Sequence, residues 1–275
     1  MLGRSPSVLL AVCAALSACV PEGPPTSNGS AKGTAAAAPP TAPPPAVRAT
    51  AAVAAASASA ASSATDAAAS PTVAAVAARP PITAVWEDTF DRAEIGPDWN
   101  VLGPAWKIQS GRLCARGARN KGAWLLRRLP VNARIEFDAF AESSDGDLKV
   151  ELWGDGATGA TAQSYTNATS YIAILGGWKN TKHVLARLNE HGEDRLEIDV
   201  DPHSDDERMR AVSPGQAYHF KVERADGKTV QVSVNGAVYF DLVDKEPLAG
   251  PGHEHLGFND WDAPVCFDNL KVTPL

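Results

Sequence analysis

The chain has 275 residues, of which 44% are hydrophobic, and its formal net charge at pH 7 is −7. Four of the 25 basic residues and two of the 32 acidic residues precede residue 86, so the rest of the chain carries a formal charge of −9. An acidic surface repels polyanions, which argues against nucleic acid and against direct binding to anionic lipid. The charge fits a neutral or cationic partner, or calcium.

Residues 1–18 have the organisation of a secretory signal peptide. A charged start precedes an apolar run, 8–15, that is too short to span a bilayer, and small residues lead up to Cys19. The tetrapeptide Leu-Ser-Ala-Cys at 16–19 resembles the lipobox of bacterial lipoproteins. The resemblance implies cleavage before Cys19 and a lipid on its sulfur, so that the protein is anchored to a membrane of the bacterial cell envelope. The alternative is an ordinary signal peptide that happens to carry a cysteine.

Residues 19–85 have the composition of a disordered tether. Ala, Pro, Ser and Thr dominate this segment, and large apolar side chains are almost absent from it. Such a sequence cannot bury enough surface to offset the entropy of ordering, so we predict a spacer that holds a folded domain away from the lipid. Val20 stands where inner-membrane retention signals of lipoproteins usually place Asp, which favours the outer membrane.

Residues 86–275 are predicted to form one all-β domain, because all seven Trp, all seven Phe and all four Tyr lie there. Apolar and polar residues alternate with a period of two, typical of strands with one buried and one polar face, at 135–140, 149–153, 218–223 and 230–234. Asp226-Gly227 and Asn235-Gly236 predict two-residue turns, so 217–243 should be a three-stranded antiparallel meander. Short strands separated by turn signals predict an antiparallel β-sandwich.

Several short motifs of this domain resemble the concanavalin A-like jelly rolls. They are Phe90-Asp91-Arg92, Trp99, Trp106-Lys107-Ile108, Val234-Asn235-Gly236, Gly257-Phe258 and Cys266-Phe267-Asp268-Asn269-Leu270. The similarity spans nearly all of 86–275 and is greatest to the laminin-G-like and bacterial 3-keto-disaccharide hydrolase domain groups. It implies two curved antiparallel sheets, adjacent first and last strands, and a concave face or loop rim where glycans often bind.

Cys114 and Cys266 are the two cysteines left once Cys13 departs with the signal and Cys19 takes lipid. An even pair in an oxidising envelope favours a disulfide. The jelly-roll resemblance implies that their strands lie side by side, which would permit the bridge. Two buried thiols acting as small hydrophobic groups are the alternative.

Candidate catalytic acids occur in Glu197-Ile198-Asp199-Val200-Asp201, which resembles the Glu-Ile-Asp-x-Glu strand of laminarinase-like family-sixteen glycoside hydrolases. The resemblance implies that the first and last acids are the nucleophile and the acid/base of a retaining hydrolase. Asp201 is shorter than the expected Glu, and a highly charged loop follows it. A polar strand edge is the alternative, and we assign no catalytic residue.

Two groups of residues raise the question of a metal. His253-Glu254-His255 could place two imidazoles on one side of a strand, but spacing identifies no third ligand, so a surface loop is the preferred interpretation. The jelly-roll resemblance implies a structural calcium that clips the first and last strands, held by the carboxylates of Asp88 and Asp268. We predict no other cofactor.

Two loops have the composition of a sugar site, in which an exposed aromatic ring accompanies amides, carboxylates and arginine. Alternation along 183–190 predicts that Arg187 lies on the face away from the core. The predicted carbohydrate-binding residues are Trp178, Asn180, Arg187, Glu190, His191, Asn259, Asp260 and Trp261. The alternative is that the two tryptophans cap the ends of the core.

The sequence therefore predicts a lipid-anchored envelope protein whose β-sandwich binds a glycan. Two alternatives stay open. One is a glycan-processing hydrolase of the 3-keto-disaccharide hydrolase-like or family-sixteen-like type, and the other is a structural or protein-binding module.

Overall fold

The structure, a computed structural model, describes residues 79–275. The predicted signal peptide, Cys19 and most of the predicted tether lie outside these residues. None of the helices in the described range is long and apolar enough to cross a membrane.

Residues 79–275 contain fifteen strands and two short helical segments. In chain order the strands are β1 (Trp86–Asp88), β2 (Trp99–Val101), β3 (Lys107–Gln109), β4 (Arg112–Arg116), β5 (Ala123–Leu125), β6 (Ala133–Ala141), β7 (Leu148–Gly154), β8 (Tyr171–Gly176), β9 (Lys182–Arg187), β10 (Leu196–Asp199), β11 (Ala217–Arg224), β12 (Thr229–Val234), β13 (Ala237–Val243), β14 (His255–Asn259) and β15 (Pro264–Pro274). The helical segments are α1 (Gly177–Asn180) and a 3₁₀ turn at Glu207–Met209.

The strands form two antiparallel sheets. Sheet A has the order β13-β12-β11-β6-β15-β4-β3, with β1 also paired to β15, and sheet B has the order β10-β9-β8-β7-β14-β5-β2. Every pairing between these strands is antiparallel, for example β1 with β15, where Trp86 lies opposite Val272. The predicted fold class, an antiparallel jelly-roll sandwich with its first and last strands adjacent, is confirmed.

The predicted meander is present as β11, β12 and β13. Its second turn has the expected two residues, and both Asn235 and Gly236 have positive φ, at 50° and 86°. The two-residue prediction for the first turn was wrong, because four residues separate β11 from β12. Asp226 widens that turn by accepting hydrogen bonds from the backbone N–H groups of Lys228 and Thr229.

The main core lies between the sheets and is built on aromatic stacking. Phe258 stacks on Phe267 with 4.2 Å between ring centroids, and Phe137 stacks on Phe220 at 4.8 Å. Phe137 of sheet A also contacts Phe258 of sheet B edge-to-face at 5.1 Å. The two stacked pairs therefore form one aromatic cluster that spans both sheets. Strand β6 alternates between buried and half-buried side chains, as the period of two predicts.

Sheet B is covered on its other side as well, which the sequence pattern did not predict. A second apolar cluster contains Ala160, Tyr165, Ala168, Ile172, Ile174, Val184 and Ala186. Residues of β8 and β9 alternate between this cluster and the main core, so the cluster lies on the outer face of sheet B. The segment 155–170 supplies its cover. Strand β7, expected to be polar and solvated on one face, is consequently buried on both, with Lys149 1% and Glu151 0% exposed.

The folded part begins before the predicted boundary at residue 86. Ile82 is 5% exposed, and its N–H donates to the carbonyl of Arg128 at 2.9 Å. Arg79 donates to the carbonyl of Pro97. Residues 79–85 were assigned to the tether because the alanine-rich composition runs up to them, whereas Ile82 and Arg79 both contact the domain.

A disulfide joins Cys114 of β4 to Cys266 of β15. The two cysteines lie directly opposite each other in the ladder, with 4.0 Å between their Cα atoms. Of the two alternatives that the sequence leaves open, the structure contains the bridge.

Candidate functional site

Six separate segments of the chain meet around a pocket of about 360 Å³. This volume lies near the lower end of the range of about 300–1,000 Å³ typical of small-molecule sites. The lining residues are Asn120, Asp145, Asp147, Gln163, Ser164, Trp178, Lys179, Glu190, His191, Trp261, Asp262 and Ala263. Four of the eight predicted carbohydrate-binding residues are thus brought together, namely Trp178, Glu190, His191 and Trp261.

Trp178 reaches the pocket from a strained turn. Within α1, Trp178, Lys179 and Asn180 have left-handed φ values of 50°, 57° and 62°. Each such residue costs roughly 1–3 kcal/mol and persists only where its surroundings enforce it. The side chain of Asn180 does so, since it donates to the carbonyls of Ser144 and Val212 and accepts from the N–H of Val212. Asn180 was predicted as a sugar ligand, but these contacts occupy its amide and make it a support for the turn.

Each pocket tryptophan already has an arginine beside its ring. The guanidinium carbon of Arg195 lies 4.8 Å from the ring centroid of Trp178, and that of Arg119 lies 4.7 Å from the ring centroid of Trp261. His191 meets Trp178 edge-to-face at 5.6 Å. Both indoles are half-buried, so they are held in place while part of each ring stays accessible.

A buried lysine lies directly beneath the floor of the pocket. The Lys149 Nζ donates to Asn120 Oδ1 at 2.8 Å and to Glu190 Oε2 at 3.2 Å, and it lies 3.7 Å from Asp147 Oδ1. Burial alone would lower the pKa of Lys149, but the charges of Asp147 and Glu190 outweigh it and raise that pKa above its ordinary value. The ammonium therefore stays protonated, and two carboxylates share it.

Asn259 and Asp260 are both 0% exposed, so they lie beneath the pocket and not in its wall. The Asn259 amide donates to Glu151, and Asp260 Oδ1 accepts from the N–H of Ala118 at 2.7 Å. Both residues were predicted to contact the sugar, and that prediction was wrong. Burial raises the pKa of Asp260 to about 7. Its Oδ2 is buried and has no hydrogen-bond partner within residues 79–275.

Glu151 forms a second buried network that fastens the segment 155–170 to sheet B. It accepts hydrogen bonds from the Tyr165 hydroxyl at 2.9 Å, the Ser170 hydroxyl at 2.7 Å and the Asn259 amide at 2.6 Å. Burial raises the pKa of Glu151 to about 7, although these three donors favour the charged form. The network holds in place the cover that supplies Gln163 and Ser164 to the pocket.

Arg187 is not part of the pocket. Leu185, two residues before it, belongs to the main core, whereas Val184 and Ala186 belong to the second cluster. The prediction placed Arg187 on the face of β9 away from the core, and it was wrong. Val184 and Ala186 pack under segment 155–170, so the opposite side of β9, which carries Arg187, faces the main core. Arg187 instead donates to Asp244 Oδ2 at 2.8 Å and to the carbonyl of Glu246, and it braces the loop after β13.

The acids considered for hydrolysis lie at the edge of sheet B and do not line the pocket. Glu197 on the edge strand β10 accepts from Lys182 Nζ at 2.6 Å and from Arg195. Asp201 accepts from the N–H of His203 in the turn that follows. These contacts are those of a polar strand edge.

The metal candidates all have protein partners. Asp88 accepts two hydrogen bonds from the Arg92 guanidinium and one from Trp99, and Asp268 lies 3.6 Å from Arg112. The Nδ1 atoms of the paired histidines 253 and 255 each face a backbone carbonyl. In the range 79–275 no group of three or more His, Cys, Asp or Glu side chains is placed to hold a metal ion. The calcium site stays a prediction.

Sequence reasoning missed Lys149, Asp147 and Asn120. One signal could have found the lysine: residues 171–176 are an uninterrupted apolar run, which is typical of a strand covered on both faces. A neighbouring strand that places charged residues toward the same cover must bury them, and buried charges need partners.

No protein-family model matches the sequence, and comparison with curated protein sequences finds no match. Several solved structures have a backbone fold similar to that of this chain. A carbohydrate-binding module, CBM66, from Bacillus subtilis is 14% identical, with a TM-score of 0.46, covering 64% of this chain and 95% of that one. A putative glycosyl hydrolase from Parabacteroides distasonis is 16% identical, with a TM-score of 0.45 and coverages of 69% and 94%. A Bacillus subtilis protein of unknown function with a galectin-like fold is 15% identical, with a TM-score of 0.44 and coverages of 70% and 96%. Likenesses this weak say nothing about ligand or activity.

Proposed function

We propose that the pocket between Trp178 and Trp261 binds a carbohydrate. The observation that carries this proposal is the convergence of two half-buried indoles, from distant parts of the sequence, on one pocket lined by carboxylates, amides and hydroxyls. Sugars present apolar C–H faces that pack on aromatic rings and hydroxyl groups that bond to polar side chains. The arginines beside the rings and the buried floor fix these groups in advance, which lowers the entropic cost of binding.

Binding is favoured over hydrolysis by the position of Lys149. A glycoside hydrolase needs two carboxyl groups roughly 5–9.5 Å apart, one of them free to exchange a proton. Asp147 and Glu190, the two most buried acids in the pocket lining, share one ammonium group at 3.7 and 3.2 Å, and its charge favours the ionised form of both over the protonated form that a general acid needs. A turnover assay on any bound glycan tests this choice, and release of reducing sugar would overturn it.

The binding proposal predicts the effect of removing either ring. Trp178→Ala and Trp261→Ala should each weaken binding of a glycan identified on an array by roughly tenfold or more, since an aromatic contact contributes about 0.5–1.5 kcal/mol in addition to the apolar area it buries. Titration calorimetry measures the change, and circular dichroism verifies that each variant is folded.

Trp86→Ala is the matched control. Trp86 is also half-buried with an arginine near its ring, Arg127 at 5.8 Å, but it lies on β1 outside the pocket. This variant should bind the glycan as the parent protein does. If both pocket variants bind normally, the site is elsewhere.

We further propose that a lipid on Cys19 anchors the protein in the bacterial envelope, with the outer membrane favoured by Val20. Cys19 is the acceptor implied by the lipobox. Cys19→Ser should therefore leave an uncleaved or soluble protein that no longer partitions into the detergent phase. Unchanged partitioning would contradict the anchor.

A further inference from the structure

We infer that the sugar recognised in this pocket carries a protonated amine, as a 2-amino-2-deoxy sugar with a free amino group does. The inference rests on the proposed function, because it names the class of carbohydrate for the same site. It is drawn from the charge of the lining and from one carboxylate oxygen that opens into the pocket.

Negative charge is in excess around the pocket. The lining contains four carboxylates, from Asp145, Asp147, Glu190 and Asp262, but Lys179 is its single lysine or arginine, and it lies exposed at the rim. Of the two arginines beside the pocket tryptophans, Arg119 pairs with Asp262 at 2.9 Å and Arg195 pairs with Glu197 outside the lining. Beneath the floor, Lys149 supplies one positive charge to the two acids that it contacts.

Glu190 supplies a specific hydrogen-bond acceptor for a positively charged group in the pocket. The residue is 7% exposed, and its Oε2 is occupied by Lys149. Its Oε1 has no hydrogen-bond partner in the described part of the chain, although the side chain lines the pocket. This oxygen is open to the pocket, so a ligand donor can replace water on it and form a charge-assisted hydrogen bond.

An ammonium group suits this acceptor better than a hydroxyl. It supplies three N–H donors and a positive charge, and a charge-assisted hydrogen bond is roughly twice as strong as a neutral one. Asp145 adds a second acceptor, because its exposed carboxylate forms no hydrogen bond or ion pair with another residue in the range 79–275. An anionic sugar, such as a uronate, a sialate or a sulfated sugar, would meet repulsion from the same groups.

A matched pair of oligosaccharides tests the inference. The probes are β-1,4-linked oligomers of glucosamine and of N-acetylglucosamine with equal length, which differ in the charge and acylation of one nitrogen per ring. At pH 5.5 and low salt the full-length protein should bind the glucosamine oligomer at least about tenfold more tightly. Raising the salt concentration should weaken that binding and leave the neutral oligomer unaffected.

Two results separate the inference from the proposed function. The first is equal or tighter binding of the N-acetylated oligomer, or an array hit on another neutral or anionic glycan with no binding of the glucosamine oligomer. Either outcome overturns the inference that the sugar carries an amine, and it leaves the proposed carbohydrate site intact. Binding of no glycan at all on the array overturns both.

Asp145→Asn tests the charge with little risk to the fold, because the carboxylate it removes is exposed and forms no hydrogen bond or ion pair in the described range. It should weaken glucosamine-oligomer binding about two- to fivefold, as for a partly screened ion pair, and this loss should shrink as the salt concentration rises. Asp241→Asn, an exposed acid on β13 far from the lining, is the control and should change neither affinity. Unchanged glucosamine-oligomer affinity in Asp145→Asn would overturn the part assigned to this residue.

Discussion

Lys149→Met should lower the free energy of unfolding by about 3–5 kcal/mol, because removing one partner of a buried ion pair leaves an uncompensated charge. Methionine fills a similar volume but supplies no charge, so Asp147 and Glu190 would face each other in the floor without the ammonium that now lies between them. For a domain of this size the loss corresponds to a fall in melting temperature of roughly 6–20 °C.

Lys182→Met is the control for this change. Lys182 also pairs with a glutamate, Glu197, at 2.6 Å, but on the edge of sheet B with 24% of its side chain exposed. Ion pairs of this kind contribute about 0–1 kcal/mol, so the melting temperature should move by only a few degrees. Similar losses in the two variants would show that the Lys149 network does not hold the floor together.

The fold could be predicted because its signals are local. The period of two in β6, β11 and β12 and the Asn235-Gly236 turn each arise within a few residues, and local sterics decide them. The longer turn at Asp226 depends on which backbone N–H groups the side chain reaches, and the dipeptide does not specify this. The placement of Ile82 likewise depends on a partner, Arg128, that is far away in sequence.

The site was predicted in part for a similar reason. Trp178 and Trp261 were identifiable because large aromatic residues in polar loops suggest exposure, and the topology then brings the two loops together. Arg187 was assigned to the wrong face because both faces of β9 are covered, so its alternation does not distinguish core from solvent. Lys149 was read as a solvated residue for the same reason, since the cover comes from a segment that packs there only in the tertiary structure.

The free energy of unfolding should fall as the pH rises from 5 to 8. Burial raises the pKa values of Glu151 and Asp260 to about 7, whereas the unfolded chain titrates these groups near 4. The folded state therefore keeps protons that the unfolded state has lost. The stability gained from this is full below the unfolded pKa and is lost as the pH rises through the folded pKa. At 1.36 kcal/mol per unit, the loss is at most about 3–4 kcal/mol for each group.

His183 has the opposite effect in a lower range. Burial lowers its pKa to about 4, so its contribution to stability grows between about pH 4 and 6.5 and is constant above that. Two carboxylates oppose one histidine over this range, so the fall in stability should prevail between about pH 5 and 7. Denaturant unfolding at closely spaced pH values from 5 to 8.5 measures it.

Glu151→Gln should remove the share of this slope that belongs to Glu151, while Asp260 keeps the rest. Glutamine fits the site because the hydroxyls of Tyr165 and Ser170 can rotate to accept from the new NH₂ group, and the carbonyl can still accept from Asn259. Glu193→Gln, an exposed glutamate in the loop after β9, should keep the parent slope. Absolute stability is a poor readout, since the substitution also weakens three hydrogen bonds, but the change of stability with pH depends only on bound protons. A parent-like slope in Glu151→Gln would mean that the buried carboxylate is ionised throughout this range and that its three donors outweigh burial.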